Sequence, residues 1–157
     1  EVNEMEQLSY LERVKIQSEI LLPLYRRLRD EIGEERAAEL LRASVNEYAT
    51  SLGESVSDAA QGSSLDKLRT LMPAFAASAL DIEPLVDNDK EFTMNVRGCK
   101  YAEHFKALGE AKFGAMITCE IDPPLAEAIG DDLTLDRTQT IMGGGTQCDF
   151  KWKLSQE

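Results

Sequence analysis

Over the first eighty residues the apolar positions recur at intervals of three and four. Leu8, Leu11, Val14, Ile20, Leu21, Leu24, Tyr25, Leu28 and Ile32 form one such stripe, which predicts an amphipathic helix. Pro23 falls inside it and predicts either a kink or a new helix starting there, and Gly33 offers a C-terminal cap. Residues Glu1 to Glu6, ahead of the stripe, are expected to fray. A second stripe, Ala37, Leu40, Leu41, Val45, Tyr48 and Leu52, predicts a helix from Glu34 that Gly53 ends. The polar run Glu54–Ser64 reads as a loop. Leu65, Leu68, Leu71, Met72, Phe75, Ala79 and Leu80 then predict a third helix from about Ser64, with Pro73 inside it. Asp81–Lys90, with Pro84 and several acids, reads as a connection.

After Lys90 the period changes to two. Phe92, Met94 and Val96 alternate with polar residues, as in a half-buried strand. A short helix is expected over Lys100–Leu108 and helical pieces over Ala111–Ile117 and Leu125–Ile129, with Pro123-Pro124 breaking the chain between the last two. From Leu133 to Trp152 two alternating runs flank Gly143-Gly144-Gly145, which predicts a hairpin. Leu135, Arg137 and Gln139 would lie on its first strand and Cys148, Phe150 and Trp152 on its second. Helices first and strands later predict an α+β fold, with N-terminal helices packed on a C-terminal antiparallel sheet of at least three strands. At 157 residues one domain is expected, with 1–81 a helical scaffold and 90–157 a sheet-bearing half that carries the chemistry.

Charge narrows the class of partner. The net charge is −12, and 17 basic residues are scattered among 29 acidic ones, so no basic footprint for nucleic acid or an anionic membrane surface exists. No apolar run approaches a transmembrane span, and no signal peptide is visible, although the chain opens on Glu1 rather than Met. Three cysteines, an odd number without a close pair, predict free thiols and a reducing cytoplasm. A small-molecule partner is expected, and homo-oligomerisation stays open.

All three cysteines and the single histidine lie between Cys99 and Cys148. If a helix starts at Cys99, then Cys99 and Glu103 share a face, and the thiol meets the positive end of the helix dipole; His104 lies off that line. Cys119-x-x-Asp122 places a carboxylate beside a thiol, although such an aspartate equally suits a turn. On a strand Cys148 and Asp149 point to opposite sides, and Cys148 is read as inward. Arg137 could clamp a carboxylate, whereas Thr138 and Thr140 are read as sheet formers only. Zinc on Cys99, His104, Cys119 and Cys148 is weighed and set aside, because the spacing is unlike known zinc sites. The glycine triplet lacks the lysine and the strand–loop–helix context of a phosphate loop. No metal or other cofactor is expected. Confinement of the thiols to one half predicts that Cys99, Cys119, Asp122 and Cys148 line a common pocket.

The order of these pieces resembles the L-2-amino-thiazoline-4-carboxylic acid hydrolase family. The matching elements are Cys99-x-Tyr101-Ala102-Glu103, Leu108-Gly109, Cys119-x-x-Asp122, Arg137-Thr138-Gln139-Thr140-Ile141, a glycine, and Cys148-Asp149-Phe150. A weaker likeness lies in the Gly-Glu-x-x-Ala pattern at Gly33. The resemblance implies a hydrolase that opens a cyclic amidine or breaks a related C–N or C–S bond. For that chemistry Cys99 or Cys119 is the candidate nucleophile, Asp122 the carboxylate that holds the amidinium, and Glu103 or His104 the base. Arg137, Tyr101 and Cys148 are candidate substrate contacts. The alternative is a non-catalytic small-molecule-binding or sensory domain, since helices over a sheet that ends in a cysteine-bearing strand also resemble four-vinyl-reductase-like domains.

Overall fold

A computed structural model describes residues 8–155, so the expected fraying of Glu1–Glu6 lies outside the described residues. Helix α1 runs from Tyr10 to Ile32 and starts in a capping box, in which Ser9 and Glu12 satisfy each other's backbone N–H groups. It passes through Pro23 as one helix, because that residue sits on the exposed side, where the carbonyl left unbonded faces solvent. Gly33, at φ 85°, takes the turn into α2, Glu34–Ala59. Gly53 does not end α2, and residues 54–59 are helical rather than loop. A Cβ at Gly53 would lie 2.6 Å from Cβ of Ala128, so the missing side chain lets two helices touch. Helix α3, Ser64–Ala76, opens with a second capping box, Ser63 with Asp66.

The connection read over Asp81–Lys90 is instead largely a strand. β1, Leu80–Asp87, pairs antiparallel with β2, Glu91–Cys99. Its register slips twice, once beside Pro84, which kept its pattern from reading as regular alternation. The sheet therefore begins before Lys90 and takes in the end of the expected helical scaffold. Helix α4 (Lys100–Ala107) and the single turn α5 (Ala111–Gly114) follow, and a π-helical turn over Ala115–Cys119 continues α5. Pro123-Pro124 does not break the chain but opens α6, Asp122–Ile129, since the first turn of a helix needs no N–H from proline. β3 (Leu133–Asp136) and β4 (Cys148–Leu154) complete an antiparallel sheet ordered β1-β2-β4-β3. Arg137 and Gln139 lie beyond β3, in the connection to β4 rather than on a strand.

The architecture is α+β, with helices on one face of a sheet. Phe92, Met94 and Val96 of β2 stand opposite Trp152, Phe150 and Cys148 of β4 on the covered face. They pack with Val45, Ala49, Leu65, Leu68, Leu125 and Ile129 from α2, α3 and α6. A second cluster joins α1, α2, α4 and α5 through Val14, Leu22, Tyr25, Ala38, Phe105 and Phe113. Cys99, Leu80, Leu41, Ile117 and Ile141 touch both clusters. No helix among the described residues is long and apolar enough to cross a membrane.

Candidate functional site

A cavity of about 80 Å³ lies where the two clusters meet. Its walls are apolar for the most part: Met94, Val96 and Trp152 from the sheet, with Tyr10, Met72 and Phe75 from α1 and α3. All three cysteines line it, together with Tyr101, Asp122 and Arg137. Antiparallel pairing explains part of this convergence. β2 ends at Cys99, and Cys148 at the start of β4 stands opposite Val96, so strand register alone brings two thiols to one end of the sheet. The π-helical turn delivers Thr118 and Cys119 from the other side; such turns re-aim side chains that regular helix would carry elsewhere.

Each sulfur is tied to its own backbone or neighbour. Cys99 is the N-cap of α4, and its Sγ accepts from the Ala102 N–H at 3.4 Å. Cys148 Sγ accepts from the Ile141 N–H at 3.3 Å. Cys119 Sγ lies 3.6 Å from the Thr118 hydroxyl. Burial raises the pKa of all three thiols and pushes Cys119 up to about 12. For Cys99 this outweighs the opposing effect of the α4 backbone N–H groups.

The charged wall of the cavity is one ion pair. Arg137 donates from Nη1 to Asp122 Oδ2 at 2.6 Å and from Nη2 to the Cys119 carbonyl at 3.0 Å. Its guanidinium also lies 5.1 Å from the centre of the Phe150 ring. The two side chains are 13% and 21% exposed, so the pair is largely screened from water by protein. Burial raises the Asp122 pKa to about 6, against the pull of Arg137. Among the described residues the other Asp122 carboxylate oxygen accepts no hydrogen bond.

Glu103 and His104 do not join this group. Both are on α4, with Glu103 exposed and His104 set edge-on against Phe105 at 4.9 Å. Desolvation, with Lys15 nearby, lowers the His104 pKa. No three Cys, His, Asp or Glu side chains among the described residues are arranged to hold a metal. Tyr101 donates its hydroxyl to the Phe75 carbonyl at 2.9 Å, so it presents its ring rather than a free O–H. Thr140, read from sequence as a sheet former, lies in the β3–β4 connection and on the cavity wall. Asp149 serves that connection, accepting from the Thr138 and Gln139 N–H groups at 2.9 Å each and from the Thr138 hydroxyl. Tyr10, Phe75, Thr118 and Trp152 went unrecognised as wall residues in the sequence. Trp152 carried a hint, as it alternates on one strand face with Cys148.

The phenol-responsive sensory domain of the transcription activator PoxR, solved with phenol, is similar in fold. The TM-score is 0.55 at 15% identity, covering 85% of this chain and 72% of that one. A weaker likeness, TM-score 0.46 at 13% identity, is to trafficking protein particle complex subunit 3 from Naegleria fowleri, covalently bound to palmitic acid. It covers 90% of this chain and 97% of the other. No curated protein matches the chain. Residues 13–152 match the pattern of the L-2-amino-thiazoline-4-carboxylic acid hydrolases, and the chain belongs to that family.

Proposed function

We propose that the cavity is a binding site for a small planar ring that carries one hydrogen-bonding or cationic group. The observation that carries this reading is a single ion pair, Asp122 with Arg137, on the wall of an otherwise apolar cavity. The apolar part of the ligand would lie among Met94, Val96 and Trp152, and its polar group would meet the unoccupied carboxylate oxygen of Asp122. Size limits the ligand. An apolar cavity of about 150 Å³ holds benzene, and this one is near 80 Å³. Either a five- or a six-membered ring therefore requires wall side chains such as Met72 to move. The PoxR domain shares the fold and is described with phenol; the ring class proposed for this chain rests on its own cavity walls.

A second reading, hydrolysis at the same site, is favoured by family membership and by Asp122. A carboxylate with a pKa near 6 and one free oxygen is suited to hold an amidinium or to take a proton from water. Thiolate attack fits less well, because all three resting thiols are protonated at neutral pH.

Calorimetric titration with phenol and with 2-aminothiazoline-4-carboxylate, alongside a product assay for N-carbamoyl-cysteine, tests both. Saturable binding without product supports a binding domain. Turnover that survives Cys99→Ser and Cys119→Ser but is lost in Asp122→Asn supports carboxylate-assisted hydrolysis. Turnover lost in Cys119→Ser restores the thiol as nucleophile. Binding that persists unchanged when Val96 is replaced by Phe, filling the cavity, would remove the ligand from this site.

A further inference from the structure

Helix α1 carries two apolar stripes, and the cores use only one. Leu11, Val14, Leu22 and Tyr25 point into the protein. On the opposite side Ile16, Ile20 and Leu24 recur at four-residue spacing and are 51%, 77% and 50% exposed. Beside them an apolar groove of about 480 Å³ runs between α1 and α2, with Leu21, Leu41 and Tyr48 on its walls and no charged residue among them. An exposed stripe of this kind beside an apolar groove marks an interaction surface.

We propose that this face of α1 is the contact between two copies of the chain, packed antiparallel about a two-fold axis. The charge distribution along α1 supplies the argument. The whole chain is at −12, so most faces of two copies repel each other. α1 is not acidic, with five basic side chains against four acidic ones.

The order of those charges is also self-complementary. A two-fold axis at the level of position 22, on the side of the helix away from Leu22, pairs each residue with the one an equal distance beyond that level on the partner helix. Ile20 then meets Leu24 and Arg13 meets Glu31, while Leu28 stays on the core side. The two symmetry copies of the apolar pair lie at the centre, and the charged pair closes each end with opposite signs. Arg13 and Glu31 are exposed, and neither enters an ion pair within the chain among the described residues. Pro23, which adds no N–H, lies to one side of this seam.

Sedimentation velocity across a range of micromolar concentrations reads the outcome. The wild type is expected to form a dimer. Ile20→Glu, which sets a charge at the centre, is expected to give a monomer with an unchanged thermal melt, because Ile20 contributes nothing to the cores. Arg13→Glu and Glu31→Arg each place like charges at both ends and are expected to weaken the dimer roughly tenfold. Mixing those two variants restores opposite signs at both ends and is expected to recover a mixed dimer. A wild type that stays monomeric at every concentration overturns the proposal. A dimer indifferent to Ile20→Glu does so as well, since it would be built on another face. A mixture no tighter than its single variants overturns the antiparallel register.

Discussion

Arg137 is held from three sides: by the Asp122 carboxylate, by the Cys119 carbonyl and by the face of Phe150. Replacing it with alanine leaves a largely buried carboxylate without a counter-charge and a helix-end carbonyl without a donor. Urea unfolding of Arg137→Ala is expected to show a loss of about 3 kcal/mol, the scale on which a buried pair fails when one member is removed. Arg137→Lys keeps the charge but not the fork that reaches two acceptors, and should recover only part of the loss. Asp122 sets the pH response. Its folded pKa is near 6, so it is protonated below that value and a carboxylate above it. A ring that donates a hydrogen bond or carries a cation should therefore bind more tightly as pH rises through about 6. The same ring methylated at the donor should show a flat profile. Calorimetry at a series of pH values separates the two, and donor-ligand affinity that weakens as pH rises would take Asp122 out of the contact. The partnership of these residues could not be read from the sequence. Cys119-x-x-Asp122 was visible as a local pattern, but its arginine stands fifteen positions beyond the aspartate and looked like a strand residue.

At the scale of elements, the sequence was most legible where a local rule acts alone. The apolar stripe that opens at Leu65 and the alternation of Phe92, Met94 and Val96 gave a helix start and a strand face without help from the rest of the chain. It misled where tertiary contact overrides the local rule. Gly53 reads as a stop signal, yet it lies within α2 because α6 presses against it. Gly53→Ala tests that contact. At a helix-interior glycine with free space around it, intrinsic propensity favours alanine by about 1 kcal/mol. The contact with Ala128 demands instead that α2 and α6 move apart, at a cost of about 1–3 kcal/mol beyond that gain. A lowered urea midpoint for Gly53→Ala checks this, and an unchanged or raised midpoint would mean that the helices are less tightly apposed. Pro123-Pro124 misled for a related reason. Proline reads as a break, but at the opening of α6 its fixed φ and missing N–H are what a helix start accommodates.

At the scale of the whole molecule, the fold class followed from the change of hydrophobic period, and the shared placement of the thiols followed from their confinement to one half of the chain. The cavity's aromatic wall did not, because Tyr10, Phe75 and Trp152 are distant in sequence and only the packing of α1 and α3 over the sheet unites them. β1, too, was obscured by its own irregularity: Pro84 within it and two slips of register against β2. Those irregularities have a consequence for association. β1 is one of the two edges of the sheet, and the other, β3, is only four residues long. A proline that cannot donate, a kinked ladder and exposed Asp81 and Glu83 make a poor template for a foreign strand, and the short β3 offers little length for one. The sheet is thus guarded against lateral growth into the continuous cross-strand stacks of amyloid, and ordered self-association is left to the helical side of the protein.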